Sequence, residues 1–130
     1  MSRLLPSILT CCALPLCALA ADGADTPLGR AYVALLEPMQ FAKIVGEECD
    51  GWTYDADKAA RLTQAFIEGQ MDAGVDPDDL AAISSYLPAD KLRADFGAWL
   101  QANHVAHGDT DALCAAGPAD ANLKPYLVKN

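Results

Sequence analysis

Gly74-Val75-Asp76-Pro77-Asp78-Asp79-Leu80-Ala81-Ala82-Ile83, residues 74–83, decides how the chain reads. Gly74 is placed to end one helix, because it takes the left-handed backbone that closes a helix without a Cβ penalty. Asp76 offers a side-chain oxygen to the free N–H groups of the next helix. Pro77 occupies the first helical position, where a missing N–H costs nothing. Asp78 and Asp79 set negative charge against the positive end of the helix dipole. Leu80, Ile83 and Leu87 then share one face. The stretch predicts two helices in close succession.

The same punctuation extends outward. Upstream, Asp55 caps and Asp57 charges the first turn of a helix whose inner stripe is Ala59, Leu62, Phe66 and Gly69, broadened by Ile67 and Met71. Downstream, Pro88 restarts the chain into a helix with Leu92, Phe96, Trp99 and Leu100 on one face, which Gly108 ends. Asp109 or Thr110 caps a short segment through Cys114. Beyond Gly117-Pro118 the pattern predicts a weak helix or coil ending in Pro125-Tyr126-Leu127. Toward the N-terminus, Leu28, Tyr32, Leu35, Leu36 and Met39 recur at helical spacing, and Phe41, Ile44 and Val45 continue the pattern to Cys49. Pro38 interrupts this run. It cannot donate to the carbonyl of Ala34, so a kink or two short helices are expected. Asp50-Gly51 is a turn signal. The expected fold is all-α: a small bundle of four to five helices with one disulfide and almost no strand.

Residues 1–20 read differently. Arg3 gives a positive start, Leu4 to Leu19 is uncharged and mostly apolar, and Ala18-Leu19-Ala20 is a small-x-small cleavage pattern. This is the layout of a removable export signal. The apolar run is short for a bilayer and is interrupted by Pro6 and Pro15, which argues against a membrane anchor. Residues 21–130 are then one helical domain with a frayed N-terminus from Asp22 to Pro27, and the expected compartment is periplasmic or secreted.

After residue 20 the chain carries eight Lys and Arg against 18 Asp and Glu, a net charge of −10. Such a chain is repelled by nucleic acid and by anionic membrane surfaces, which both require basic patches. Cationic partners or simple solubility are the natural readings, and any partner is expected to be a protein.

Three of the five cysteines, Cys11, Cys12 and Cys17, lie in the signal segment. Cys49 and Cys114 remain. In an oxidising compartment two lone cysteines in a small domain pair. There is no CxxC redox pair and no CxxCH haem site, so the bond is expected to be a structural staple.

His104 and His107 are the only histidines. Placed three apart near the end of the fourth helix, with Asp109 and Asp111 behind them, they are the candidate metal ligands. Both also extend the apolar stripe of that helix, so no metal or other cofactor is expected. Trp52 and Tyr54, after the turn, are candidates for a partner-binding patch; the alternative is that they cover the disulfide. The Asp-rich stretches lack the ligand spacing of a calcium loop. Ser84 and Ser85 lie inside a helix and in no GxSxG context, and no phosphate loop or dinucleotide fingerprint is present. An enzyme is not expected.

The order Cys49, a helix, Ala73-Gly74-Val75-Asp76 leading into Asp79-Leu80, then Asp90-Lys91-Leu92-Arg93 and Cys114-Ala115-Ala116-Gly117 resembles a family of small exported alphaproteobacterial proteins of unknown function. The resemblance implies a helical fold with one disulfide and carries over no catalytic residue. The expected function is binding, as an interaction module, inhibitor or accessory subunit. The alternatives are a periplasmic acid-stress chaperone and a metal- or small-ligand-binding protein.

Overall fold

The computed structural model describes residues 25–130. The expected export signal with its cleavage site and three cysteines, and residues 22–24 of the segment expected to fray, lie outside the described residues. Five α-helices and one two-stranded sheet follow among those described.

Helix α1 (Pro27–Glu48) is the spine. Thr26 caps it, accepting from the Gly29 N–H at 2.9 Å, and Pro27 stands in its first turn. It runs without interruption through Pro38, so the two short helices expected there do not form. An interior proline costs about 3 kcal/mol. Tyr32, Val33 and Leu36 before it and Met39, Phe41, Ala42 and Val45 after it are all buried. At roughly 1.5–3 kcal/mol for each large apolar side chain, that burial outweighs one lost hydrogen bond.

Strand β1 (Trp52–Tyr54) follows the Asp50-Gly51 turn and pairs antiparallel with β2 (Leu127–Lys129), Thr53 facing Val128. The C-terminus, expected as a weak helix or coil, is a short 3-10 turn (Lys124–Tyr126) leading into a strand that was not expected. Backbone and side chain both fasten it. Asn130 N donates to the Gly51 carbonyl at 3.1 Å, Asn130 Nδ2 to Asp50 at 2.8 Å, and Asp55 N to Tyr126 at 2.8 Å. Three-residue strands carry too little alternation to be read from sequence.

Helix α2 (Ala56–Asp72) is capped by Asp55, which accepts from Lys58 N at 2.9 Å, and Gly74 follows its end with φ +87°. Helix α3 (Pro77–Ser84) is capped by Asp76 through Asp78 N at 2.7 Å. Helix α4 (Ala89–Ala102) starts behind Pro88 without a side-chain cap. Helix α5 (Thr110–Ala119) is capped by Asp109 through Ala112 N at 3.0 Å.

Three details depart from the pattern. The α2 stripe is mostly not interior: only Ala59 is buried, Phe66 is half-buried, and Leu62 and Met71 are 38% and 51% exposed. Leu87 lies past α3 and is 55% exposed. Helix α4 stops at Ala102, six residues short of Gly108, because His104 turns left-handed at φ 58°.

The main core joins the second half of α1 to Ala59, Val105, Leu113, Leu123, Tyr126 and Leu127. A smaller cluster, Tyr32, Leu36 and Ile83 with half-buried Phe66, ties α2 and α3 to the first half. Two glycines allow α1 its close neighbours. A Cβ on Gly46 would sit 2.7 Å from Tyr54 N, and one on Gly117 2.7 Å from Val45 Cγ2. The Cys49–Cys114 disulfide, with Cα atoms 5.6 Å apart and a sequence separation of 65, locks the end of α1 to α5. Closing a loop of that length stabilises by about 4 kcal/mol on the chain-entropy account.

Candidate functional site

Pro38 leaves one more mark. Its missing N–H removes the helical partner of the Ala34 carbonyl. Ala34 and Pro38 both line a cleft of about 320 Å³ between α1, α4 and the turn after α5. Glu37 and Phe41 complete its α1 wall, Trp99 comes from α4, and Asp120, Asn122 and Leu123 close the far side.

The far side is held by one carboxylate. Asp120 ends α5 and folds its side chain over the next turn, accepting from Asn122 N at 2.7 Å and Leu123 N at 3.3 Å. Its other oxygen accepts from Trp99 Nε1 at 2.8 Å. Partial burial disfavours the charge. The hydrogen bonds from Trp99, Asn122 and Leu123 outweigh it, and the carboxyl is held below its ordinary range. Trp99 stacks on Phe96 with centroids 5.8 Å apart, and Phe41 packs tilted against both rings.

Glu37 behaves in the opposite sense. Burial pushes its carboxyl up, and the neighbouring Asp95 on α4 adds repulsion and a hydrogen bond that the protonated Glu37 donates. Lys91 opposes these effects but is itself paired with Asp95 one helical turn away. The cleft thus presents two carboxyl groups of opposite bias and a carbonyl without its ordinary helical donor beside two aromatic rings.

The residues singled out from sequence lie elsewhere. His104 and His107 are exposed and fall in the loop after α4, not on a helical face. His107 and Asp109 line a separate hollow of about 230 Å³ with Glu48, where the Asp109 carboxylate is engaged as the α5 cap. Asp111 is exposed in the first turn of α5. Among the described residues no group of three or more His, Cys, Asp or Glu is placed to hold a metal ion. Trp52 and Tyr54 are half-buried in β1 and pack against the main core, which also contains Cys49. Ser84 closes α3 and Ser85 caps it, their hydroxyls donating to Ala81 and Ala82 carbonyls.

Sequence reasoning did not single out Glu37, Trp99 and Asp120 as a site. One signal was available: Pro38 frees a carbonyl one turn back, next to an acidic residue. Among the described residues no helix is long and apolar enough to cross a membrane. Comparison with protein-family models, with curated proteins and with solved structures yields no match.

Proposed function

We propose that this chain is an exported, periplasmic or secreted protein that acts by binding and not by catalysis, as an interaction module whose partner is a basic protein. The observation that carries the reading is the cleft in which Glu37 and Asp120 flank Phe41 and Trp99. It is a concave, part-aromatic site with a few convergent polar groups, the general form of a binding pocket. It sits in a chain of net charge −10 after residue 20, which favours cationic partners at long range. The export-type segment 1–20 and the disulfide agree with an oxidising compartment.

The test is cross-linking of the protein in its native compartment, identification of the partner, and titration of the purified pair at two salt concentrations. The reading requires a basic partner whose affinity falls with salt. A partner of net negative charge, or an affinity indifferent to salt, refutes it.

A second reading, the acid-stress chaperone, draws on the exposure of Leu62, Met71, Tyr86 and Leu87. Such a protein must suppress client aggregation near pH 3 and not at neutral pH. Equal inactivity at both eliminates it.

A further inference from the structure

The geometry points to a specific occupant for the cleft: one organic cation, a guanidinium group foremost, held by Glu37, Asp120 and the Ala34 carbonyl, which lacks its ordinary helical donor, against Trp99. This inference rests on the binding reading and names the chemistry of its contact.

Three observations converge on it independently of overall charge. First, three acceptor groups line the cleft, with the Asn122 carboxamide as the one side-chain amide beside them. Ala34 lacks the N–H that would normally occupy its carbonyl, because residue 38 is proline. Glu37 brings a carboxyl from the same helix. Asp120 Oδ1 is filled by the two bonds from the 122–123 backbone, but Oδ2, which accepts only from Trp99, keeps a lone pair. Second, the Trp99 indole N–H is given to Asp120, and the Lys91 ammonium, outside the cleft, pairs with Asp95. A ligand that brings its own donors is complementary, and an anion is not. Third, Phe41 and Trp99 supply aromatic surface in the same cleft. Ring faces attract cations, and the flat guanidinium both stacks and donates up to five N–H bonds, which a compact ammonium cannot match. The cleft volume of about 320 Å³ suits a side chain rather than a folded segment.

The guanidinium can arrive on a partner's arginine or as a free small molecule, and the assay separates them. The full-length protein is titrated with N-acetylarginine amide, agmatine and the neutral isostere N-acetylcitrulline amide, followed by NMR at the Trp99 indole N–H and the Asn122 and Leu123 amides. The arginine amide must move these resonances saturably and the citrulline amide must not. Glu37→Gln should weaken arginine binding by about tenfold, the scale of one charge-assisted hydrogen bond. Asp57→Asn removes a charge outside the cleft and should change it less than about twofold, as expected of a screened surface charge. Equal response to arginine and citrulline, shifts centred away from the cleft, or equal effects of the two substitutions overturn the inference. Binding of agmatine but not of the capped amino acid supports the cleft chemistry and speaks against a protein partner. A basic protein partner whose affinity Glu37→Gln leaves unchanged retains the binding reading and removes this occupant.

Discussion

Gly46→Ala tests the packing of the spine most sharply, because helix propensity and tertiary contact predict opposite signs. Alanine is favoured over glycine inside a helix by about 1 kcal/mol. Gly46 lies in the last part of α1, so propensity alone predicts a more stable protein. Its new Cβ, however, would stand 2.7 Å from Tyr54 N, 3.1 Å from Tyr54 Cβ and 3.3 Å from Tyr54 Cα. The nearest atom is backbone of β1 and cannot turn aside as a side-chain tip would. Strand β1 must move away from α1, straining its pairing with β2. Overpacking of this kind costs about 1–3 kcal/mol, and contact with backbone places it in the upper part of that range. The net expectation is a loss of about 1–2 kcal/mol, a fall in Tm of roughly 5–10 °C for a domain of this size. Gly69→Ala and Gly97→Ala are the controls. Both glycines are helical, and a Cβ at either meets nothing within 4 Å. Each should gain about 0.5–1 kcal/mol. Thermal and urea unfolding of the three variants decides the matter. If Gly46→Ala gains stability alongside the controls, the close approach of α1 and β1 is wrong.

Further outcomes follow from the bond, the cleft and the signal. Cys114→Ser should lower stability by about 4 kcal/mol and Tm by roughly 15–20 °C, and peptide mapping without reduction should recover Cys49 linked to Cys114; unchanged melting refutes the staple. Asp120→Asn should cost about 1 kcal/mol at pH 7, allowing for the exposure of the carboxylate. The Asp120 carboxyl is held below its ordinary range, so its contribution is complete above about pH 4 and is lost as pH falls through the lower folded value. The difference between variant and parent should therefore shrink on acidification, and a constant difference refutes the assignment. Glu37→Gln should show the reverse sign. The Glu37 carboxyl is held above its ordinary range, so the parent loses stability as pH rises through that window, and the variant should gain on it between pH 4 and pH 7 in denaturant titrations. Intact mass of exported protein should begin at Ala21 or Asp22, and a species retaining residues 1–20 contradicts the signal.

Much of the candidate site was hidden from sequence for a simple reason. Glu37, Trp99 and Asp120 belong to three different elements, and each has an ordinary local explanation: a helix-surface acid, a stripe aromatic, a polar residue in a segment expected as weak helix or coil. Their meeting depends on where α4 and the C-terminal turn dock on α1. The histidines failed in the other direction. Their three-residue spacing matters only on a helix, and α4 ends at Ala102 before reaching either.

What the sequence determined by itself were the helix beginnings and the disulfide partners. Asp55, Asp76 and Asp109 cap the helices they announce because capping is satisfied within three residues, whatever the rest of the chain does. Cys49 and Cys114 pair as the only two cysteines after residue 20. The tertiary structure alone decided that α1 passes through Pro38, that most of the α2 stripe remains at the surface, that residues 127–129 form a strand, and that two carboxyl groups converge beside Trp99. Each of these outcomes balances a local preference against contacts between residues far apart in sequence. Those contacts exist only once the elements have packed.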